Sequence, residues 1–297
     1  MNAAGRGMVL AVFSGESERM AYALVKSLRR VNAVLPVTVL AQGYAGVLDW
    51  RGLAALRMVP AVAGRGEPER RWLNKPAAMA RSPYGETLFM DCDVVFLRDP
   101  APWFDRLGTD DFTFFHRMLT SADLPEEMTW NVVNPRRMME RYGVEEVPII
   151  EGGGHYFFRR TARGRQMMER LVAWMEDSAE RGEASDFAWL AGPGNLVAAD
   201  EIAASIVAVE EGLRLPPPGP RGELAVGVFL PQFQKEEAFD LEAGMASFFC
   251  PWAGQRVSPD AVHFCHTSKN HEAYRAFVEK MVAEGPLPIA RTRSEVS

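Results

Sequence analysis

The chain has 297 residues, 47% hydrophobic and 24% charged, with 33 basic against 39 acidic side chains and a formal charge of -6. That is enough for one large α/β domain or two small ones, in the composition range of a globular protein. The mild acidity argues against sequence-independent nucleic-acid binding, and no window reaches the roughly 18 apolar residues of a membrane helix.

Met8 to Phe13 is a short β-rich run, too short for a signal peptide, and it ends at Ser14-Gly15. Beyond it, Met20, Ala21, Leu24, Val25 and Leu28 share one helical face. Ser14 is placed to cap that helix, with Glu16 and Glu18 in its first turn. Leu35 to Leu40 and Leu56 to Val62 read as further strands, so a parallel βαβ sheet is expected. A charged loop, Glu67 to Arg71, precedes a helix through Leu73, Ala77, Met79 and Ala80. Thr87 to Met90 is a strand and Asp111 to Phe115 another. Ser121 to Pro148 reads as irregular and as a candidate acceptor pocket. Glu151-Gly152-Gly153-Gly154 leads into a strand, His155 to Arg160, whose start permits close backbone approach. Met167, Met168, Leu171, Val172 and Met175 stripe a helix ending near Gly182. Pro216 to Pro220 is a stiff connection, Gly227 to Leu230 reads as a strand, and Tyr274, Phe277, Val278 and Met281 stripe a last helix. No repeat or composition shift marks a domain boundary. Cys92, Cys250 and Cys265 form no CxxC pair and no zinc spacing, so reduced thiols and a cytoplasmic location are expected.

The most informative segment is Thr87 to Pro100, an apolar strand interrupted by Asp91 and Asp93. At i, i+2 on a strand the two acids would project together while Cys92 turns away. Carboxylates in an apolar segment are costly unless something positive binds them. A bare acid pair is weak evidence, since Glu16/Glu18 and Glu67/Glu69 show the same spacing and read as solvated surface pairs. Context favours Asp91 and Asp93, because ligands of α/β folds gather at the carboxyl ends of strands, and such oxygens suit Mg²⁺ or Mn²⁺. Turn-stabilising acids remain the alternative. A second constellation, His263-Phe264-Cys265-His266-Thr267-Ser268-Lys269, follows Ala261-Val262. Imidazole can ligate Mn²⁺ and lysine can hold phosphate, although each residue taken singly is as easily structural.

At these residues the chain resembles a known family. Asp91-Cys92-Asp93 followed by Phe96-Leu97-Arg98-Asp99-Pro100 is similar to the DxD region of GT-A-fold glycosyltransferases, closest to the glycogenin and galactosyltransferase-like family 8. His263 to Lys269 resembles that family's closing His-Phe-x-Gly-x-x-Lys motif. Gly152 to Arg160 stands where the family has an Asn-Ser-Gly-containing strand, and Asp200-Glu201 where an Asp-Gln pair is usual. The resemblance spans most of residues 8 to 275. It implies an α/β, GT-A (Rossmann-like) fold with a mixed, mainly parallel sheet flanked by helices. The expected organisation is a single domain over 1–297: a nucleotide-binding half of about 8–115, an acceptor-side half of about 116–282 and a polar tail, 283–297.

The resemblance further implies a metal-dependent hexosyltransferase-type enzyme that moves a sugar from a nucleotide sugar, a UDP-sugar above all, to a hydroxyl acceptor with retention. Asp91, Asp93 and His263 would ligate Mn²⁺ (or Mg²⁺). Lys269 would contact the diphosphate, with His266 beside it, Phe13 and Ser14 would border the nucleoside, and Lys75, Gly153 and Gly154 would sit near the donor. Asp200 would lie beside the sugar, with Glu201 as the second catalytic carboxyl. Three departures stand out: Gly152-Gly153 for Asn-Ser, Glu201 for Gln, and His266 for Gly. His116 and His271 have no matching role and read as surface or packing residues, and Trp130, Asn131 and Asn134 are acceptor candidates or loop. Two alternatives stay open, a degenerate GT-A domain that binds nucleotide without turnover and a sugar-phosphate nucleotidyltransferase. The latter would normally carry a glycine-rich loop after the first strand, where this chain has only Gly15 in Ser14 to Arg19. Nothing in the sequence excludes a homodimer.

Overall fold

The computed structural model describes residues 5–44, 46–62, 71–108, 110–123, 133–150, 154–190, 199–215, 224–225, 238–250, 255–264 and 272–286. The first strand, β1 (Arg6–Val12), runs into α1 (Gly15–Val31) through the Ser14 cap. Ser14 Oγ accepts from Ser17 N–H, and Ser17 Oγ accepts from Ser14 N–H, a reciprocal capping box. Next come β2 (Val37–Gln42), β3 (Ala55–Val59), α2 (Asn74–Met79), β4 (Glu86–Phe89), β5 (Val94–Phe96) and α3 (Ala101–Leu107). β6 (Phe112–Phe114), β7 (His116–Thr120), α4 (Pro135–Tyr142), β8 (Glu146–Ile150) and β9 (Tyr156–Arg159) lead to the 20-residue α5 (Ala162–Arg181). α6 (Asp186–Leu190) and α7 (Asp200–Glu210) precede β10 (Leu224–Ala225), β11 (Ala238–Asp240), β12 (Met245–Cys250), β13 (Gln255–Val257), β14 (Ala261–His263) and α8 (Glu272–Ala283).

A six-stranded sheet of order β3-β2-β1-β4-β9-β6 forms the centre. Its first four strands are parallel, while β9 runs antiparallel to both β4 and β6. β1 and β2 are buried on both faces, which explains their unbroken apolar runs. One face packs α1 and α3 through Leu24, Leu28, Trp103 and Phe104. The other packs α5 and α7 through Met167, Leu171, Ile202 and Ile206. A smaller sheet, β10-β14-β5, sits beside the centre and joins α8 through Phe264, Tyr274 and Phe277. The expected mixed, mainly parallel α/β architecture is observed. No described helix is long and apolar enough to cross a membrane.

Three expectations are corrected. Asp91-Cys92-Asp93 is a turn between β4 and β5, because strand pairing lapses after Phe89 and resumes at Val94. Strand alternation therefore does not orient these side chains. Ser121 to Pro148 is not irregular throughout: Asn134 accepts from Arg137 N–H, Pro135 opens α4, Gly143 closes it at φ 62°, and β8 follows. Asn134 is thus a helix cap, while Trp130 and Asn131 lie outside the described residues. Glu18 is no solvated surface acid. It is fully buried and accepts from the backbone of Val47 and Leu48, from Trp50 Nε1 and from Tyr44 Oη. Burial alone would raise its pKa, yet these donors hold it below the usual carboxylate value. Glu67, Glu69, the Pro216 to Pro220 connection and the Gly227 to Leu230 run lie outside the described residues.

Candidate active site

Two strand registers assemble the site. β14 pairs antiparallel with β5, setting His263 opposite Val94, and Phe264 N–H donates to the Asp93 carbonyl over 2.8 Å. His263 Nε2 then meets Asp93 Oδ1 at 2.8 Å, joining residues 170 positions apart. β4 pairs antiparallel with β9, setting Phe89 opposite Tyr156. Continuing past that pair, Asp91 N–H donates to His155 Nδ1 over 3.3 Å, and Gly154 N–H donates to Asp91 Oδ2 over 3.2 Å. Both acids thereby lie just beyond the carboxyl end of a parallel strand.

Lys75, in the first turn of α2, lies 3.0 Å from Asp91 Oδ1 and 3.2 Å from Asp200 Oδ2. Burial opposes its charge, but Asp200, Asp91 and Glu201 outweigh that and keep it protonated. Asp200 opens α7 and also accepts from Tyr156 Oη at 2.7 Å. Burial, then Asp200, keeps the Tyr156 hydroxyl protonated and hence a donor. Gly154 fits this crowd only because it has no side chain: a Cβ there would overlap Asp200 Oδ2 and lie 2.8 Å from Lys75 Nζ. The expected close approach at the start of β9 is thus observed at Gly154; Gly153 lies outside the described residues.

Electrostatics divide the cluster. Burial raises the Asp91 carboxyl more than Lys75 and His263 lower it. Burial works the same way on Asp93, but the charge and hydrogen bond of His263 hold it low, and the same pair raises His263 against the cost of burial. Burial, followed by the charges of His263 and Lys75, pushes His155 well below an ordinary imidazole, so that ring is neutral. Glu201, beside Asp200, is pushed up to about 7 by burial and then by Asp200. Its carboxyl makes no hydrogen bond with a described residue. Cys92 stays a thiol, since burial and both acids raise it, and Sγ donates to the Ala11 carbonyl.

One ligand atom each from Asp91, His155 and His263 lies within 4.8 Å of the others, so these residues can hold a cation. His155 Nε2 and His263 Nδ1 are buried without a hydrogen-bond partner among the described residues. Of the residues singled out in the sequence, Asp91, Asp93, His263, Lys75, Gly154, Asp200 and Glu201 converge here. Phe13 directly follows β1 and is 38% exposed, and Ser14 is occupied as a cap. His266, Lys269 and His271 lie outside the described residues. His116 is a buried packing group, Nδ1 facing the Phe114 carbonyl. Sequence reading assigned no role to His155 or Tyr156. The available signal was a polar residue opening an apolar strand directly after three glycines.

Residues 86–193 match the family model described as nucleotide-diphospho-sugar transferase. No curated protein matches the sequence. Among solved structures, the apo bifunctional glycosyltransferase WbbM superposes with a TM-score of 0.53 at 13% identity, over 96% of this chain and 50% of that one. This chain therefore spans half the length of WbbM. The galactosyltransferase LgtC, in complex with donor and acceptor sugar analogs, superposes at 0.51 and 11% identity over 98% of this chain and all of LgtC. An active-site Gln-to-Glu mutant of LgtC superposes at 0.50, with 11% identity and coverage of 95% and 98%.

Proposed function

We propose that this glycosyltransferase of GT-A fold, with its nucleotide-diphospho-sugar transferase segment, binds a UDP-sugar with a divalent cation and transfers the sugar, with retention, to a hydroxyl acceptor. The observation that carries the reading is the meeting of Asp93 with His263 at 2.8 Å, beside Asp91, at the carboxyl ends of the parallel strands.

The residues present fit a cation. Asp91, Asp93, Asp200 and Glu201 supply more negative charge than Lys75 and His263 offset, and two buried ring nitrogens lack partners among the described residues. Carboxylate oxygens and imidazole together suit Mn²⁺. Asp91, Asp93 and His263 would hold the ion, which when bound neutralises charge on the departing diphosphate.

The chain's own groups do the rest. Lys75 keeps a fixed positive charge between Asp91 and Asp200, preorganised for the donor without reorientation during reaction. Tyr156 and Lys75 together fix the Asp200 carboxyl, which would lie beside the sugar. Glu201, with its proton affinity near neutrality and no hydrogen bond to a described residue, would take the acceptor's proton. Phe13, exposed at the end of β1, offers a ring to the nucleoside. Lys269 and His266 would add donors to the diphosphate.

Titrating UDP with and without Mn²⁺ tests the reading. UDP should bind more tightly with Mn²⁺ in the wild type, and Asp93→Ala should weaken UDP·Mn²⁺ binding by about 10–100-fold. Equal binding by variant and wild type would sink the metal assignment.

A further inference from the structure

We propose that His155 is itself a ligand of the cation, acting through Nδ1, so that Asp91, His155 and His263 give the site two imidazoles and a preference for transition ions over Mg²⁺. This inference rests on the metal-dependent reading above and extends it to a residue outside the acid pair and closing motif that suggested it.

Position comes first. One ligand atom from each of the three residues lies within 4.8 Å of the other two. An octahedral ion with bonds of about 2.1 Å sets neighbouring ligand atoms about 3 Å apart and opposite ones about 4.2 Å apart. At most one pair of the three can be opposite, so closing the atoms onto one ion requires neighbouring pairs to contract by up to about 1.8 Å, a movement within reach of side-chain rotation. Asp93 Oδ1 and His263 Nε2, at 2.8 Å, already stand at the spacing of neighbouring ligands. The rings of His155 and His263 meet edge to face, 4.5 Å between centroids, so the two imidazoles share one small volume. Pairing of β9 with β4 holds His155 there from the backbone, independently of its side chain.

The tautomer is set by what surrounds the ring. Asp91 N–H points at His155 Nδ1, and a nitrogen that accepts carries a lone pair, so the proton of the neutral ring sits on Nε2. Nδ1 is then the atom with electrons to offer a cation. Its present partner is easily given up, because 3.3 Å lies beyond the usual range of an N–H hydrogen bond.

A purely structural histidine would explain less. His155 is fully buried, and its neighbours are the Asp91 carboxylate, the Lys75 ammonium and a second imidazole rather than apolar side chains alone. A neutral imidazole adds a donor atom without adding negative charge, so the charge that balances a dication still comes from the acids Asp91 and Asp93. Mg²⁺ takes oxygen ligands in a near-ideal octahedron and keeps its waters, whereas imidazole suits the transition ions. The second ring therefore biases the site away from Mg²⁺ before any nucleotide arrives.

The experiment uses Mn²⁺ alone and the full chain. Pulsed EPR on protein labelled with ¹⁵N-histidine counts the imidazole nitrogens on the ion, and a free-Mn²⁺ titration gives its affinity. The inference expects two coordinated nitrogens in the wild type and one in His155→Asn. That variant keeps an acceptor for Asp91 N–H and so separates ligation from packing. Mn²⁺ affinity should fall about 10–100-fold in His155→Asn while Mg²⁺ affinity holds or improves. His155→Phe should lose Mn²⁺ affinity in the same direction, with thermal melts confirming that both variants fold. An unchanged nitrogen count and unchanged affinity in His155→Asn overturn the inference. If Asp93→Ala abolishes Mn²⁺ binding while both His155 variants match wild type, only the role of His155 falls. If the wild type takes up no Mn²⁺, the metal-dependent reading falls with it.

Discussion

Gly154 offers the most direct test of the assembled site. It is not among the glycines with left-handed backbone, so glycine is required there for space and not for conformation. An alanine Cβ would overlap Asp200 Oδ2 and lie 2.7 Å from Tyr156 Cε2 and 2.8 Å from Lys75 Nζ. Ordinary contact begins near 3.4 Å, so Lys75 must retreat by about 0.6 Å and Asp200 by more. Two interactions of Asp200 stretch or break, the hydrogen bond from Tyr156 and the ion pair with Lys75. A hydrogen bond to a charged group is worth about 1.5–3 kcal/mol, and overpacking adds a similar strain that relaxation partly relieves. Gly154→Ala should therefore lose about 2–4 kcal/mol in urea denaturation. Because a misplacement of about 1 Å can cost about a hundredfold in rate, nucleotide-sugar turnover should fall by that order. The same substitution in an Asp200→Ala background removes the worst overlap, so the stability penalty there should shrink by at least 1 kcal/mol. A Gly154→Ala protein with wild-type urea midpoint, or a penalty indifferent to Asp200, would refute the packing reasoning.

Two further outcomes follow from buried acids. Glu18→Ala strands the Val47 and Leu48 amides, the Trp50 indole and the Tyr44 hydroxyl, and should cost about 3 kcal/mol. Trp50 fluorescence should shift to the red as its loop loosens, and an unaltered spectrum and midpoint would contradict the clamp. Glu201 supplies a pH signature. Its pKa stands at about 7 against an ordinary 4.5, so between those values the folded protein holds a proton that the unfolded chain has released. Stability must then fall as pH rises across that window. At about 1.4 kcal/mol per pKa unit the effect is at most about 3.5 kcal/mol, reduced by solvent at this half-buried group. Denaturation of metal-free protein from about pH 5 to 8 should show the fall, and Glu201→Gln should remove part of it. Identical profiles for the two proteins would place Glu201 outside the charged cluster.

Local signals sufficed for much of this chain. The Ser14 cap and the apolar stripes of α1, α5 and α8 were legible because a helix is specified by neighbours three and four residues away. The apolar runs of β1 and β2 were legible because strands buried on both faces need no partner residue to be recognised. α4 was missed although Asn134-Pro135 and Gly143 signal its two ends. β11, β12 and β13 were missed because short antiparallel strands draw their stability from cross-strand pairs, which spacing along one strand does not display.

The candidate site divides in the same way. Asp91, Asp93, His263, Lys75, Asp200 and Glu201 could each be named from sequence, because their residue types and order resemble a family. What they do for one another depends on distance, which pairing sets across the whole chain. The β14–β5 register brings His263 to Asp93, and the β4–β9 register brings Gly154 and His155 to Asp91. The 10-residue separation between Glu18 and Leu28 on α1 said nothing of the loop that folds over Glu18 and takes it out of water. By itself the sequence determined the α/β elements, their order and the chemical types available to a site. Only the tertiary structure decided that the acids sit in a turn, that Asp200 is held by Tyr156 and Lys75, and that a second histidine stands beside His263. Charge compensation and strand register act between residues far apart in the chain, and proximity of that kind exists only once the chain has folded.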